Sequence, residues 1–304
     1  MALDNQVTAD SGPAPLLLHY GLGLEEDRYV QVGDIRTRYR SSGDKGPGII
    51  LIHGLGSSLE SWMRNLHFLG GRSRVFAPDV VWFGQSDKPR DEVTGDFFVR
   101  FITRFMDAIG LQRAVLVGNS MGGMIACKTA LDHTERVSGL VLVDSAGFGR
   151  ELAWWLRLRT LFKPARRKIK VSRWAARWVA AWIAYDWRTI GDEFIDQVVS
   201  REVEPEAVEA YGRVLRFGAD WRGLKPLAVQ EIRDAAHKIR VPTLIIWGKQ
   251  DRVIPVAHAE VARQRIPSAT LHIMDRCGHA PMLEKPDEFN RLVDDFVRAN
   301  IRGA

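Results

Sequence analysis

Short, nearly unbroken apolar runs alternate along this chain with longer stretches whose apolar residues recur every three or four positions. The runs are Tyr29–Val32, Ile35–Arg40, Ile49–His53, Val75–Pro78, Ala114–Gly118, Gly139–Asp144, Thr243–Gly248 and Thr270–Met274. From Ile49 onward they lack polar alternates, the pattern of strands buried on both faces. Helical patterns fall at Asp96–Ile109, Met121–His133, Val256–Arg265 and Pro286–Asn300. This alternation predicts an α/β fold with a mostly parallel eight-stranded sheet and helices on both faces.

Between Gly147 and about Lys238 the alternation stops. No clear strand is visible there, and the composition is helical, first basic and then acidic. Seven of the ten tryptophans fall in this stretch: Trp154, Trp155, Trp174, Trp178, Trp182, Trp187 and Trp221. It reads as a helical insertion between two strands of one core. The expected organisation is a flexible tail at 1–24, a core at 25–146 and 238–304, and the insert at 147–237.

Composition changes this picture little. Hydrophobic residues make up 46% and charged residues 26%, ordinary for a soluble globular chain. Cys127 and Cys277 are too few for a disulfide framework and are not spaced as a metal site. They read as small buried thiols and point to a reducing, cytoplasmic setting. No leader pattern opens MALDNQVTADSGPAP, and no run of 18 apolar residues predicts a spanning helix. The net charge of +6 is local: residues 149–177 hold ten Lys/Arg against Glu151, which is +9 and leaves −3 for the rest. No recognition motif accompanies that charge, so nucleic acid is not an expected partner.

The chemistry starts at LVGNSMGGMIACKTALDH, residues 116–133. A serine hydroxyl is a weak nucleophile that needs a base and donors for the oxyanion it creates. A sharp strand-to-helix turn lifts the hydroxyl clear of the sheet, and its strained backbone demands small neighbours. Gly118 and Gly122 flank Ser120 at such a junction. The base is expected later in the chain, and MDRCGHAPMLEKP supplies His279 after the last strand. WGKQDRVIP supplies Asp251 as the acid that holds the histidine. Asp144, ending LVLVD, is the competing acid. The loop HGLGSS supplies backbone donors, so the oxyanion hole is assigned to the N–H groups of Leu55 and Met121. His53 is expected to be a structural loop histidine. His53, Gly54, Trp82, Asn119 and Ala280 are candidates for the pocket.

Taken in order, HGLG, GNSMGG, GKQDRVIP and GHAPMLEKPDEFN resemble the α/β-hydrolase superfamily over about residues 28–146 and 238–300. The insert then looks like that superfamily's cap or lid. In APDVVWFGQSDKP the usual Pro-Gly is replaced by Val81-Trp82, which places Trp82 among the pocket candidates. Ser120 separates the chain from relatives with an aspartate nucleophile. The resemblance implies carboxylic ester hydrolysis through an acyl-enzyme, with a small apolar acyl substrate and neither metal nor cofactor. The alternative is hydrolysis of a carbon–carbon bond in ring-fission products, whose enzymes share the Asn119–Gly123 pattern. They typically carry a longer glycine loop after His-Gly and a Trp after the histidine, where this chain has Leu55-Gly56-Ser57-Ser58 and Ala280. A reading of another class is a non-catalytic binding protein on a hydrolase scaffold.

Trp174, Trp178 and Trp182 recur every four residues and share a helix face. Arg173 and Arg177 stand beside them, and Lys163, Arg166, Arg167, Lys168 and Lys170 precede them. The favoured expectation is that the tryptophans pack the insert onto the core and roof an apolar pocket. The competing one is that the face is exposed and associates weakly with anionic membrane. Oligomeric state is not legible in the chain.

Overall fold

The computed structural model describes residues 26–163, 168–200 and 202–301. The expected tail at 1–24, with Arg166 and Arg167, lies outside the described residues. Eight strands form the main sheet: β1 (Arg28–Val32), β2 (Ile35–Ser42), β3 (Gly48–Ile52), β4 (Arg74–Pro78), β5 (Ala114–Asn119), β6 (Val137–Val143), β7 (Thr243–Gly248) and β8 (Ala269–Met274). Each falls within two residues of its expected bounds. Their order is β1-β2-β4-β3-β5-β6-β7-β8. β2 pairs antiparallel with β1 and β4, and every other neighbour pairs in parallel.

The unbroken apolar runs have a direct cause. Successive side chains of a strand point to opposite faces, and here both faces are covered. Ile50, Ile52, Leu116, Leu142, Ile245 and Trp247 pack into one cluster. Their alternates Ile49, Leu51, Val115, Val117, Val141, Leu244 and Ile246 pack into another.

Helices α1 (Leu66–Gly70), α2 (Gly95–Ala108) and α3 (Met121–Asp132) precede the insert. Within it lie α4 (Trp154–Arg159), α5 (Arg173–Ile183), α6 (Asp192–Ser200), α7 (Pro205–Gly218) and α8 (Pro226–Arg233). α9 (Ala257–Arg265), α10 (Pro281–Glu284) and α11 (Pro286–Asn300) follow. The first cluster takes Phe98, Phe101 and Phe105 from α2, Ile125 and Ala126 from α3, and Ala259 and Ala262 from α9. The second takes Leu66 and Leu69 from α1 and Phe289, Val293 and Val297 from α11.

The insert departs from expectation twice. Two-residue ladders join Ile169–Lys170 to Glu202–Val203 and Ala219–Asp220 to Gly223–Leu224. Strands so short carry no readable period. The tryptophan stripe also does not face the core. α5 buries Ala176 and Ala180, whose small side chains let the helix approach closely, whereas Trp174 is 76% exposed. The other rings mesh between α4 and α5, with Trp154–Trp182 centroids 5.9 Å apart and Trp155–Trp178 centroids 6.0 Å apart. Arg173 and Arg177 do not stand free, since both pair with Asp192 of α6.

Candidate active site

The turn between β5 and α3 holds Ser120 at φ 57° and ψ −117°. A non-glycine residue at positive φ costs on the order of 1–3 kcal/mol and persists only where its surroundings fix it. Here the Ser120 N–H donates to the Val143 carbonyl at 2.9 Å, and the Ser120 carbonyl accepts from Ala146 at 3.0 Å. The glycines are needed for close approach. A Cβ on Gly118 would meet the Gly122 carbonyl oxygen at 2.2 Å, and one on Gly122 would meet that of Ile52 at 2.2 Å. The Ser120 side chain makes no capping hydrogen bond to its helix.

The loop after β3 crosses this turn. A Cβ on Gly54 would lie 3.2 Å from Ser120 Cβ. Among the described residues, neither the Leu55 nor the Met121 N–H donates to another group. Both assigned oxyanion donors are therefore unspent, one in the crossing loop and one at the first residue of α3. Gly56 has φ 70°, and a Cβ there would strike the Tyr211 ring of α7 at 2.7 Å, so the insert rests directly on this loop.

The loops after β7 and β8 bring Asp251 and His279 together. His279 Nδ1 lies 2.7 Å from Asp251 Oδ2, and both side chains are largely buried. Asp251 Oδ1 accepts the N–H groups of Val253 at 2.7 Å and Ile254 at 3.1 Å, which fixes the carboxylate. With its Nδ1 proton given to a carboxylate, the imidazole keeps its Nε2 lone pair to take a proton. The His279 N–H donates to Ile183 of the insert at 2.6 Å. Asn119, beside the serine, donates from Nδ2 to the His279 carbonyl at 3.1 Å and so ties the two loops.

Asp144, the competing acid, is fully buried. Its Oδ1 accepts the Gly248 N–H at 2.9 Å. Burial, and after it the Asp251 charge, push its carboxyl well above the usual carboxylate range. The acceptor of the His279 Nδ1–H bond is Asp251.

Two of the pocket candidates need correction. Trp82 has no accessible surface and therefore lines no open cavity. It adopts φ 75°, the conformation a glycine would suit, and its ring packs 4.8 Å from Phe97 and 5.2 Å from Phe98. His53 is also fully buried. Its Nε2 accepts the Val80 N–H at 2.9 Å, the structural role expected of it. Gly54 and Ala280 stay beside Ser120 and His279, and the Asn119 amide nitrogen is spent on the Val143 and His279 carbonyls.

Sequence reasoning missed two residues. Buried Glu284 accepts the N–H groups of Tyr185 at 2.7 Å and Gly278 at 2.9 Å, clamping the insert to the histidine loop. Burial raises its carboxyl above the usual range. Arg64 donates to the carbonyls of Thr189 at 2.6 Å and Leu283 at 2.7 Å, a second clamp. The only signal for Glu284 was its place in GHAPMLEKP, five residues after the histidine. Arg64 gave none.

A family model described as alpha/beta hydrolase fold matches residues 47–286. The chain is 31% identical over 283 residues to a 2-hydroxy-6-oxo-2,4-heptadienoate hydrolase of Pseudomonas putida, covering 91% of this chain and 98% of that protein. The solved meta-cleavage product hydrolase of Pseudomonas fluorescens is similar at 30% identity and a TM-score of 0.77, over 90% of this chain and 97% of that one. A bacterial membrane phospholipase A is similar at 27% identity and a TM-score of 0.77, over 95% of this chain and 93% of that one.

Proposed function

The chain belongs to the alpha/beta hydrolase fold family, and from that premise we propose that it hydrolyses carboxylic esters of apolar acyl substrates through an acyl-enzyme on Ser120. The observation that carries this is the Asp251–His279 hydrogen bond behind a serine whose crossing loop and helix start leave two N–H groups unspent. His279 takes the Ser120 proton as the hydroxyl attacks the carbonyl. The Leu55 and Met121 N–H groups hold the oxyanion, each such donor contributing about 10²–10³ in rate. His279 protonates the leaving alcohol, and water then repeats the sequence on the acyl-enzyme. Asp251 keeps the imidazole in the needed tautomer. Residues 147–237 act as the cap, with Tyr211 pressed against Gly56.

The second reading is carbon–carbon bond hydrolysis. The names of the Pseudomonas relatives favour it, whereas Ala280 and the short Leu55–Ser58 loop favour esters. A series of p-nitrophenyl esters of rising chain length, run beside a ring-fission dienoate, separates the two. Faster turnover of short or medium esters is expected. A kcat/KM for the dienoate far above that of every ester would overturn the ester assignment.

The cap also supports association with anionic lipid. Trp154, Leu158, Leu161, Phe162, Trp174 and Trp221 are exposed on it, with Arg159, Lys163, Lys170 and Arg222 exposed in the same segment. Apolar side chains beside cations suit a lipid interface. No helix among the described residues is long and apolar enough to cross a membrane. Co-sedimentation with anionic vesicles at low salt, weakening as salt rises, is the expected result. Absence of pelleting with anionic vesicles would remove this partner. A cytoplasmic setting accords with Cys127 and Cys277, which are both free and buried.

A further inference from the structure

Asp144 stands in an environment that Asp251 does not share. It is fully buried at the end of β6, held at φ 45° with its N–H donated to Ile246 at 3.1 Å. Oδ1 accepts the Gly248 N–H, but Oδ2 is buried and receives no donor among the described residues. What lies nearby is another carboxylate. One oxygen of Asp144, one of Asp251 and a ring nitrogen of His279 all lie within 4.8 Å of one another. Among the described residues, Glu284 and Cys277 also act on or face Asp144, and neither brings positive charge. No lysine or arginine pairs with Asp144 among the described residues. Two carboxylates this close, buried without a cation, do not both ionise.

We propose that Asp144 is a positioning residue that keeps its proton and donates it in a hydrogen bond to Asp251, so that the pair presents one negative charge to His279. This rests on the assignment of Asp251 as the acid that orients His279. The hydrogen bonds then balance at every oxygen. Asp251 Oδ2 takes His279 Nδ1–H, and its Oδ1 takes two backbone N–H groups. The Asp144 proton satisfies a remaining Asp251 lone pair from behind. The orphaned Oδ2 of Asp144 is the oxygen that carries this proton. The left-handed backbone at Asp144 aims the side chain across the end of the sheet toward the next strand. Asp251 is thus fixed from two sides, and charge accumulates on the acid that touches the histidine.

The test compares Asp144→Asn with Asp144→Ala. Asparagine keeps both bonds, because its carbonyl still accepts from Gly248 and its NH₂ still donates to Asp251. Asp144→Asn is expected to stay within about threefold of wild type in kcat, and Asp144→Ala to lose about tenfold to a hundredfold with KM within about twofold. An Asp144→Asn enzyme that folds but is as slow as Asp144→Ala would show that a charge is required at 144, overturning the proposal. Full activity in Asp144→Ala would overturn it too. Infrared difference spectra of wild type minus Asp144→Asn at neutral pH read the proton without turnover. A protonated carboxylic acid band in that difference is expected, and only ionised-carboxylate bands would contradict it. The spectrum also separates this proposal from the triad assignment: near-normal turnover by Ser120→Ala would end the latter and leave the band in place. If Asp144→Ala does not fold, the asparagine kinetics and the spectrum decide.

Discussion

Two groups of three carboxyls in this molecule sit in opposite surroundings. Asp27, Glu60 and Asp79 surround the buried Arg38, with N–O distances of 2.8, 2.6 and 3.1 Å. Asp144, Asp251 and Glu284 gather at the loop of His279 with backbone N–H groups and one imidazole as donors. In the first group, burial raises the Asp27 carboxyl, and bonds from Arg38 and then Arg40 outweigh it, leaving it below the usual range. Burial lowers the Arg38 guanidinium, and Asp27 and Glu60 more than reverse that, so it stays charged. In the second group, burial pushes Asp144 and Glu284 up, and bonds from backbone N–H groups offset it only in part. Matched charges hold β2 to the loops around it. Buried carboxyls without a matching cation resist ionising, the kind of environment that shifts acidities at functional sites.

The largest effects are expected where the second group meets the serine. Ser120→Ala and His279→Ala should each lower kcat by about 10⁴ or more, because the triad acts as a unit. Circular dichroism should show both variants folded. Asp251→Asn should follow, at about 10⁴ in kcat, since the histidine then loses the acceptor that fixes its tautomer. If Asp144→Asn had the larger effect instead, the histidine would be held from β6.

Breaking the first group should give the reverse signature. Arg38→Met leaves Glu60 and Asp79 buried without their cation and should cost about 3–5 kcal/mol in urea unfolding. The kcat of the folded fraction should stay near wild type. A normal unfolding midpoint would show that the Arg38 cluster does not carry the stability assigned to it.

The smallest effect is on pH dependence. The folded chain keeps a proton on Asp144 that the unfolded chain, with Asp near ~3.9, releases. Between that pH and the raised folded value the native state binds the extra proton, so stability falls as pH rises. Thermal unfolding followed from mildly acid to mildly alkaline pH should show this decline, and Asp144→Asn should flatten it. Glu284 adds a decline of the same sign and remains in the variant. An identical slope in wild type and Asp144→Asn would contradict the shift.

The contrast between the two groups also explains what was legible in the chain. The eight strands could be read because burial on both faces removes polar alternates, and Ser120 because its turn tolerates only glycines at 118 and 122. Trp82 misled, because a residue in a turn gives no sign that its ring folds back between Phe97 and Phe98. The α5 stripe misled for a related reason: periodicity shows that Trp174, Trp178 and Trp182 share a face, not which face the core takes. The alanines between them decided that. Glu284 and Arg64 act by gathering backbone groups from distant loops, and such partners have no sequence spacing. Asp144 looked like a rival to Asp251 because the distance between two strand ends cannot be read from one chain.

Ser120 must be an activated nucleophile if the chain is a serine hydrolase, and covalent labelling tests this without a substrate. A fluorophosphonate should modify wild type stoichiometrically, with the adduct on the peptide containing Ser120 by mass spectrometry. Ser120→Ala should stay unlabelled, and His279→Ala should label far more slowly. A wild-type protein that is folded but unlabelled, or labelled at another residue, would contradict the account.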